Sequence, residues 1–376
     1  MPKRILVIAG EASGDLHGGP LIEALYKREP DLEIFGIGGN RMQSAGMTLL
    51  YHVQDVAFIG FAEIVKHLGT FKKIFDHLVN ELKKQNPDLV ILIDYPGFNL
   101  RFGKKASDLD FPVFYYIAPQ VWAWRRGRAK KMAKFIDRMA VIFDFEVEFF
   151  SRYGIDTHFV GHPLLDGLHV NMSKHDFFQS LKLDPEKPLL ALLPGSRKQE
   201  IENLLPVMLD AAKKIKSDNP NLQIAVSRAA TISGEMMTTI QANHSVKIVE
   251  KEIYELMSYA QAAIVASGTA TLETACLKTP FIIVYRVAPL SFFIGKRVVK
   301  LSHIGLANIV AGEQVAKEFI QHHVDADNIA KAVKPLLFDD KVRRQARQSM
   351  GTVREKLGQP GAAEKTAELV LDMINE

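Results

Sequence analysis

The sequence predicts an α/β protein made of two successive Rossmann-like halves, each a doubly wound parallel sheet. Three observations predict it. Short aliphatic runs such as "RILVIAG" at 4–10 and "DLVILID" at 88–94 lack the alternation of a half-exposed strand and read as strands buried on both faces. Helical stretches fall between them, as in "LGTFKKIFDHLVNELKKQNP" at 68–87, where Leu68, Phe71, Phe75, Leu78 and Leu82 recur at helical spacing. The pattern then restarts after "FVGHPLLD" at 159–166. A chain of 376 residues is long for one core and comfortable for two.

The elements follow in order. "RILVIAG" ends in a glycine loop that opens into the helical "GGPLIEALYKR", and "LEIFGIGG" at 32–39 is the next strand. After the helix at 68–87 come strands at 88–94, about 112–117 and 138–143, then the strand-like "THFV". In the second half "PLLALLPGSRKQEIENLLPVMLDAAKKIK" is again strand, glycine loop and helix, followed by "LQIAVS", "VKIVE", "AAIVASG" and "PFIIVYRV". The tail reads as two helices broken at "GQPG". These boundaries divide the chain into 1–165, 166–345 and 346–376. There is no low-complexity tract and no exact repeat.

Composition narrows the function. A net charge of +4 and a pI near 8.9 are mild, so the basicity is regional and coating of nucleic acid is not demanded. The single cysteine, Cys276, excludes an intramolecular disulfide framework and a cysteine zinc cluster, and reads as a small buried residue. The N-terminal apolar run breaks at Gly10, too short for a signal sequence, and no uncharged apolar run is long enough to span a membrane.

Two loops of the second half are built for anions. Gly195, Ser196 and Arg197 stand between a buried strand and a helix, where glycine admits close approach, helix-terminal amides face an anion and an arginine fork pairs with phosphate oxygens. Ser267, Gly268, Thr269 and Thr271 repeat the arrangement, with Glu273 in the following turn able to accept two ribose hydroxyls or simply to cap the helix. Two such loops fit a nucleoside diphosphate. The first half offers carboxylates instead: Glu11 and Asp15 in "GEASGD", and Asp94 at the end of "DLVILID", placed to act as a general base or to cap a loop. No metal is expected, since His17, His162, His303, His322 and His323 have no ligand spacing. The segment "APQVWAWRRGRAKKMAKF" holds the chain's two tryptophans, Trp122 and Trp124, with Arg125, Arg126, Arg128, Lys130 and Lys131.

The motifs "AGEASGD", "DYPGFN", "APQVWAWR", "VGHPLLD", "LLPGSR", "SGTATLE" and "GLANIVAG" occur in one order from residue 9 to about 312, and in this the chain resembles the lipid-A-disaccharide synthase family. The resemblance implies a GT-B fold, two Rossmann-like domains facing across a cleft, with an acceptor domain first and a UDP-sugar donor domain second. It implies a metal-independent, inverting transfer of 2,3-diacylglucosamine from UDP to the 6-hydroxyl of 2,3-diacylglucosamine 1-phosphate (lipid X), with no cofactor, on the cytoplasmic face of a Gram-negative inner membrane. By the same resemblance Asp94 is the general base, Glu11 and Asp15 its supporting acidic loop, and Arg197 the phosphate contact. Glu273 and the "SGTATLE" loop form the nucleotide cradle, with Asn308 and Gln314 beside the donor. It further implies a homodimer that exchanges C-terminal elements, although the tail can equally cross back onto its own first domain. The chain departs from the family at Gly97, an aspartate in some members, and at Ala307, where proline is more familiar.

With lipid substrates in view, 121–135 reads as a segment that holds the acylated acceptor or docks onto anionic lipid, joined by the apolar, lysine-bearing stretches 58–73 and 290–300. A core helix with a solvated basic edge is the plainer reading. Nucleic acid is not expected, because the aromatics are adjacent and not spaced along a groove. A UDP-N-acetylglucosamine 2-epimerase or another GT-B transferase shares the layout, and a silent binding module would tolerate loss of Asp94.

Overall fold

The aliphatic runs form two all-parallel sheets. A computed structural model describes residues 2–57, 64–124, 127–228, 245–287 and 302–376. Among these, the strands are β1 (Arg4–Ala9), β2 (Glu33–Gly38), β3 (Thr48–His52), β4 (Leu89–Ile93), β5 (Val113–Tyr116), β6 (Arg138–Val141), β7 (Asp156–Phe159), β8 (Leu189–Leu193), β9 (Gln223–Ser227), β10 (Lys247–Val249), β11 (Ala262–Ala266), β12 (Phe281–Tyr285) and β13 (Glu318–Ile320). The first sheet has the order β3-β2-β1-β4-β5-β6-β7 and the second β10-β9-β8-β11-β12-β13. Each sheet therefore reverses direction once, at β1/β4 and at β8/β11, and it is beyond the carboxyl ends of such pairs that ligands of open α/β sheets bind.

The chain divides into two compact units, Met1–Asp166 with Leu357–Glu376, and Gly167–Lys356. The tail read as one segment is thus shared: helix Asp340–Lys356 belongs to the second unit, whereas Ala362–Asn375 lies against helix Ala12–Arg28 of the first. Arg28 pairs there with Glu364 and Glu368.

Burial on both faces explains the unbroken apolar strands. In the first unit Leu6, Ile8, Val90, Leu92 and Tyr115 are fully buried with Phe98 and Phe102 from helix Pro96–Ser107. Phe71 and Phe75 of helix Ile64–Gln85 meet Phe98 edge-on, with ring centroids 5.1 and 5.7 Å apart. Phe71, expected on a membrane-facing surface, is therefore part of the core rim; residues 58–63 and the 290–300 stretch lie outside the described residues. In the second unit Ile201, Leu205 and Met208 of helix Lys198–Asp218 pack on Leu190, Leu192, Ile264 and Ile282. Cys276 is buried as read, which lifts its thiol to about 11.

Two strands escaped the sequence reading. β3, "TLLYH", is an edge strand only partly buried, and β13 has three residues at the far edge of its sheet. Neither needs the long apolar run that betrays a central strand.

Candidate functional site

In the first unit the reversal point carries the carboxylates. Asp94 follows β4 directly, and it and Tyr95 both take left-handed backbone at φ +46°, a costly conformation for residues with a Cβ. The turn is held from behind. Asn99 Nδ2 donates to the carbonyls of Ile93 and Asp94 at 3.1 and 2.8 Å, and Tyr115 Oη donates to the Asp94 carbonyl at 2.6 Å. The Tyr95 ring lies so close to Gly10 that a Cβ there would collide with it. Burial, and then the nearby Glu11 charge, push the Asp94 carboxyl up to about 6, with the Tyr95 amide pulling the other way.

The structure thus brings Glu11 and Asp94 together. Asp15 faces elsewhere. Its oxygens accept from the backbone N–H groups of Gly39 (2.7 Å), Met42 (3.0 Å) and Arg41 (3.2 Å), anchoring the start of helix Asn40–Ser44. Gly97 is exposed with open space around it, so an acid there would meet no obstacle.

The tryptophan segment is divided. Trp122 is only 6% exposed, and its indole N–H donates to Glu146 Oε1 at 2.8 Å. Glu146 is buried too and also accepts from the Phe143 N–H at 3.2 Å. Burial raises its carboxyl to about 8, against the pull of those donors. Trp122 is therefore an internal brace and not the interfacial anchor its composition advertised. Lys130 and Lys131 are exposed on helix Gly127–Met132, while Arg128 is half-buried. Arg125 and Arg126 lie outside the described residues, as does the side chain of Trp124. Beside this brace is a pocket of about 290 Å³ whose lining includes Asp94, Pro119, Gln120, Arg128, Ile142 and Phe143.

In the second unit Gly195 takes φ +102°, and a Cβ would strike the Glu200 carboxylate that folds back over the loop. Arg197 is the N-cap of helix Lys198–Asp218, with its side chain 83% exposed and paired to Glu200 at 3.1 Å. Such an exposed pair is weak, so the guanidinium can exchange Glu200 for a phosphate. Ser196 is exposed at the same turn. At β11 the Ser267 N–H donates to Val284 O at 3.0 Å and its hydroxyl to Ile304 O at 3.3 Å, which leaves Gly268 with open space and Thr269 exposed. Thr271 is fully buried and bonds the Gly268 carbonyl at 2.7 Å, so it shapes the loop. Glu273 accepts from Tyr254 Oη at 3.2 Å, and burial raises its carboxyl despite that bond.

Asn308 is another correction. It is fully buried, its amide donating to Ala316 O and Glu318 Oε1 at 2.7 Å each and accepting from the Val315 and Ala316 N–H groups at 2.9 Å. With its bonds made internally it pins the loop that carries the exposed Gln314. Glu318, which sequence reasoning missed, also receives the N–H groups of Ile304 and Gly305 at 3.0 Å. Tyr254, Asn99, Tyr115 and Glu146 were missed likewise, since their partners lie elsewhere in the chain.

Asp-x-Asp spacing, which the sequence reading passed over, occurs at Asp108–Asp110 and Asp325–Asp327. Asp108 pairs with Lys104 at 2.6 Å and Asp325 caps helix Ala326–Phe338. Among the described residues no group of three or more His, Cys, Asp or Glu side chains could hold a metal ion. His17 and His162 interact; burial, then the neighbouring His17, lowers His162 to about 4.

The sequence profile of the family described as lipid-A-disaccharide synthetase matches residues 5–373. The chain belongs to the lipid-A-disaccharide synthase family. A lipid-A-disaccharide synthase of Trichlorobacter lovleyi is 42% identical over 377 aligned positions, covering 100% of this chain and 98% of that protein. One from Coxiella burnetii is 39% identical over 372, covering 99% of each. Among solved structures, UDP-GlcNAc 2-epimerase of Neisseria meningitidis bound to UDP-GlcNAc superposes with a TM-score of 0.66 at 11% identity, covering 98% of this chain and 100% of that one. The calicheamicin glycosyltransferase CalG4 gives 0.62 at 15%, covering 100% of both chains. At those identities the likeness is one of fold, and it is the expected pair of Rossmann-like units.

Proposed function

We propose that this member of the family transfers 2,3-diacylglucosamine from UDP to the 6-hydroxyl of 2,3-diacylglucosamine 1-phosphate with inversion, making the β-1,6 disaccharide 1-phosphate and UDP. The observation that carries the mechanism is Asp94: a carboxylate at the reversal point of its sheet, held in strained backbone and raised to about 6, is mostly ionised at neutral pH yet basic enough to take a proton. In the step, Asp94 accepts the acceptor's 6-hydroxyl proton as that oxygen bonds to the donor's anomeric carbon. The bond from that carbon to UDP breaks, and its electron pair leaves on the β-phosphate oxygen. Attack opposite the leaving group gives the inverted linkage.

The charge that develops on UDP falls to the second unit. Arg197 and the first-turn amides of helix Lys198–Asp218 face the phosphates, Ser267, Gly268 and Thr269 give the nucleotide room, and Glu273 takes the ribose hydroxyls. Glu11 supports Asp94 by raising its basicity, while Asp15, Thr271 and Asn308 hold loops in place. Among the described residues no helix is long and apolar enough to cross a membrane. Exposed Lys130 and Lys131 support a peripheral stance on an anionic bilayer.

The test is turnover of UDP-diacylglucosamine with lipid X in detergent micelles, comparing the parent with Asp94→Asn at matched folding. Disaccharide and UDP from the parent, with kcat reduced roughly 10²- to 10⁴-fold in the variant, is the expected result. A folded parent that makes neither product rejects the reading.

A further inference from the structure

We propose that the pocket between Asp94 and Arg128 is the seat of the acceptor's phosphorylated sugar, with the Arg128 guanidinium pairing with the phosphate monoester at one end and Asp94 meeting the reactive hydroxyl at the other. The inference rests on the transfer reaction proposed above and names the group that reads its acceptor.

The lining selects the ligand. Among the described residues that line the pocket, only Asp94 and Arg128 bear charge, and the rest are apolar or, in Gln120, neutral. A carboxylate and a guanidinium in one small apolar space favour a molecule with two different ends. An anion close to Asp94 would be repelled, so it must lie on the arginine side. The hydroxyl that gives up its proton must lie on the other. A pocket of about 290 Å³ has room for one sugar ring between them.

The walls are built and not incidental. Ile117, a β-branched residue in left-handed backbone at φ +61°, lines the pocket together with the similarly strained Asp94, and strain of this kind persists where the surroundings enforce it. Behind the wall, buried Glu146 ties Trp122, next to lining residue Val121, to the backbone of lining residue Phe143. That bond fixes the loop after β5 against the loop after β6. The helix Gly127–Met132 also distinguishes its cations by position: Lys130 and Lys131 are exposed to solvent, whereas Arg128 is half-buried at the pocket. An arginine devoted to a flat anionic surface would stand with the lysines.

The experiment pairs two deletions on either side of the contact. Initial rates are measured with lipid X and with 2,3-diacylglucosamine lacking the phosphate, using the parent, Arg128→Ala and Arg128→Lys, each checked for a native thermal transition. Removing the phosphate or the guanidinium should each lower kcat/KM for the acceptor roughly 10- to 100-fold, and removing both should cost little more than either alone. The KM for UDP-diacylglucosamine should stay within about twofold, and Arg128→Lys should fall between parent and alanine. Independent, multiplicative losses would overturn the proposal. So would an equal loss for both acceptors accompanied by weaker binding to phosphatidylglycerol vesicles, which would make Arg128 a membrane contact. Should the parent make no disaccharide, calorimetric binding of diacylglucosamine 1-phosphate decides separately: phosphate-dependent binding abolished in Arg128→Ala upholds the pocket while the transfer reading falls.

Discussion

The two units share one strand order around the reversal point, 3-2-1-4-5-6, yet they arm it in opposite ways. In the first, β4 runs into Asp94, whose backbone carbonyl is held by Asn99 and Tyr115 in a conformation that a side chain tolerates poorly. In the second, β8 ends in a glycine loop whose arginine stands in solvent on a weak pair with Glu200. A turn pinned from behind suits the proposed base, which must hold one position while it takes a proton. An exposed arginine suits the proposed phosphate contact, which must pair with a large anion and release it. A common scaffold supplies the place, and the residues just past the strand decide the chemistry.

The widest separation between the two should come from crossing their variants. Asp94→Asn is expected to lose turnover by the orders of magnitude given above while leaving UDP affinity unchanged, whereas Arg197→Ala should weaken UDP binding roughly 10- to 100-fold by calorimetry. Equal UDP affinity in the arginine variant would remove its phosphate role. Next in size is a stability contrast. Asn308→Ala leaves the Val315 and Ala316 N–H groups without a partner inside the second unit and should cost roughly 3 kcal/mol. Both tryptophans belong to the first unit, so the urea midpoint by far-UV circular dichroism should fall while the midpoint by tryptophan fluorescence stays. A joint shift would show that the units unfold as one. The smallest effect is a slope with pH. With Asp94 as the proposed base, working ionised with its carboxyl near 6, kcat/KM should rise about tenfold per unit below pH 6 and level off above it. A profile flat down to pH 5 would mean that another group takes the proton.

Sequence reading went furthest where the physical cause is local. Unbroken aliphatic runs announced the central strands because burial on two faces leaves no room for alternation. The turns that carry Asp94, Gly195 and Arg197 were legible as strand ends because they interrupt such runs, while the roles of these residues stand as proposals. What stayed hidden depends on partners outside the local motif. Nothing around Trp122 says that Glu146 will bury its indole, and a tryptophan among cations looked like a surface. Asn308 looked like a ligand contact because nothing in "GLANIVAG" shows that its bonds run to residues 315–318. Asp15 was misjudged similarly, its three amide donors belonging to the loop after β2.

The path of the chain bears on how the molecule is made. The chain leaves the first unit at Asp166, builds the whole of the second, and returns at Leu357. Its final helix, Ala362–Asn375, then caps helix Ala12–Arg28, bonds the backbone of Leu369 to Arg138 and places Thr366 against Tyr116. The ribosome therefore delivers the beginning of the first unit early and its closing piece last. During translation the second unit can reach its native state before the first receives the helix that completes it, so the first unit begun is not the first that can be finished.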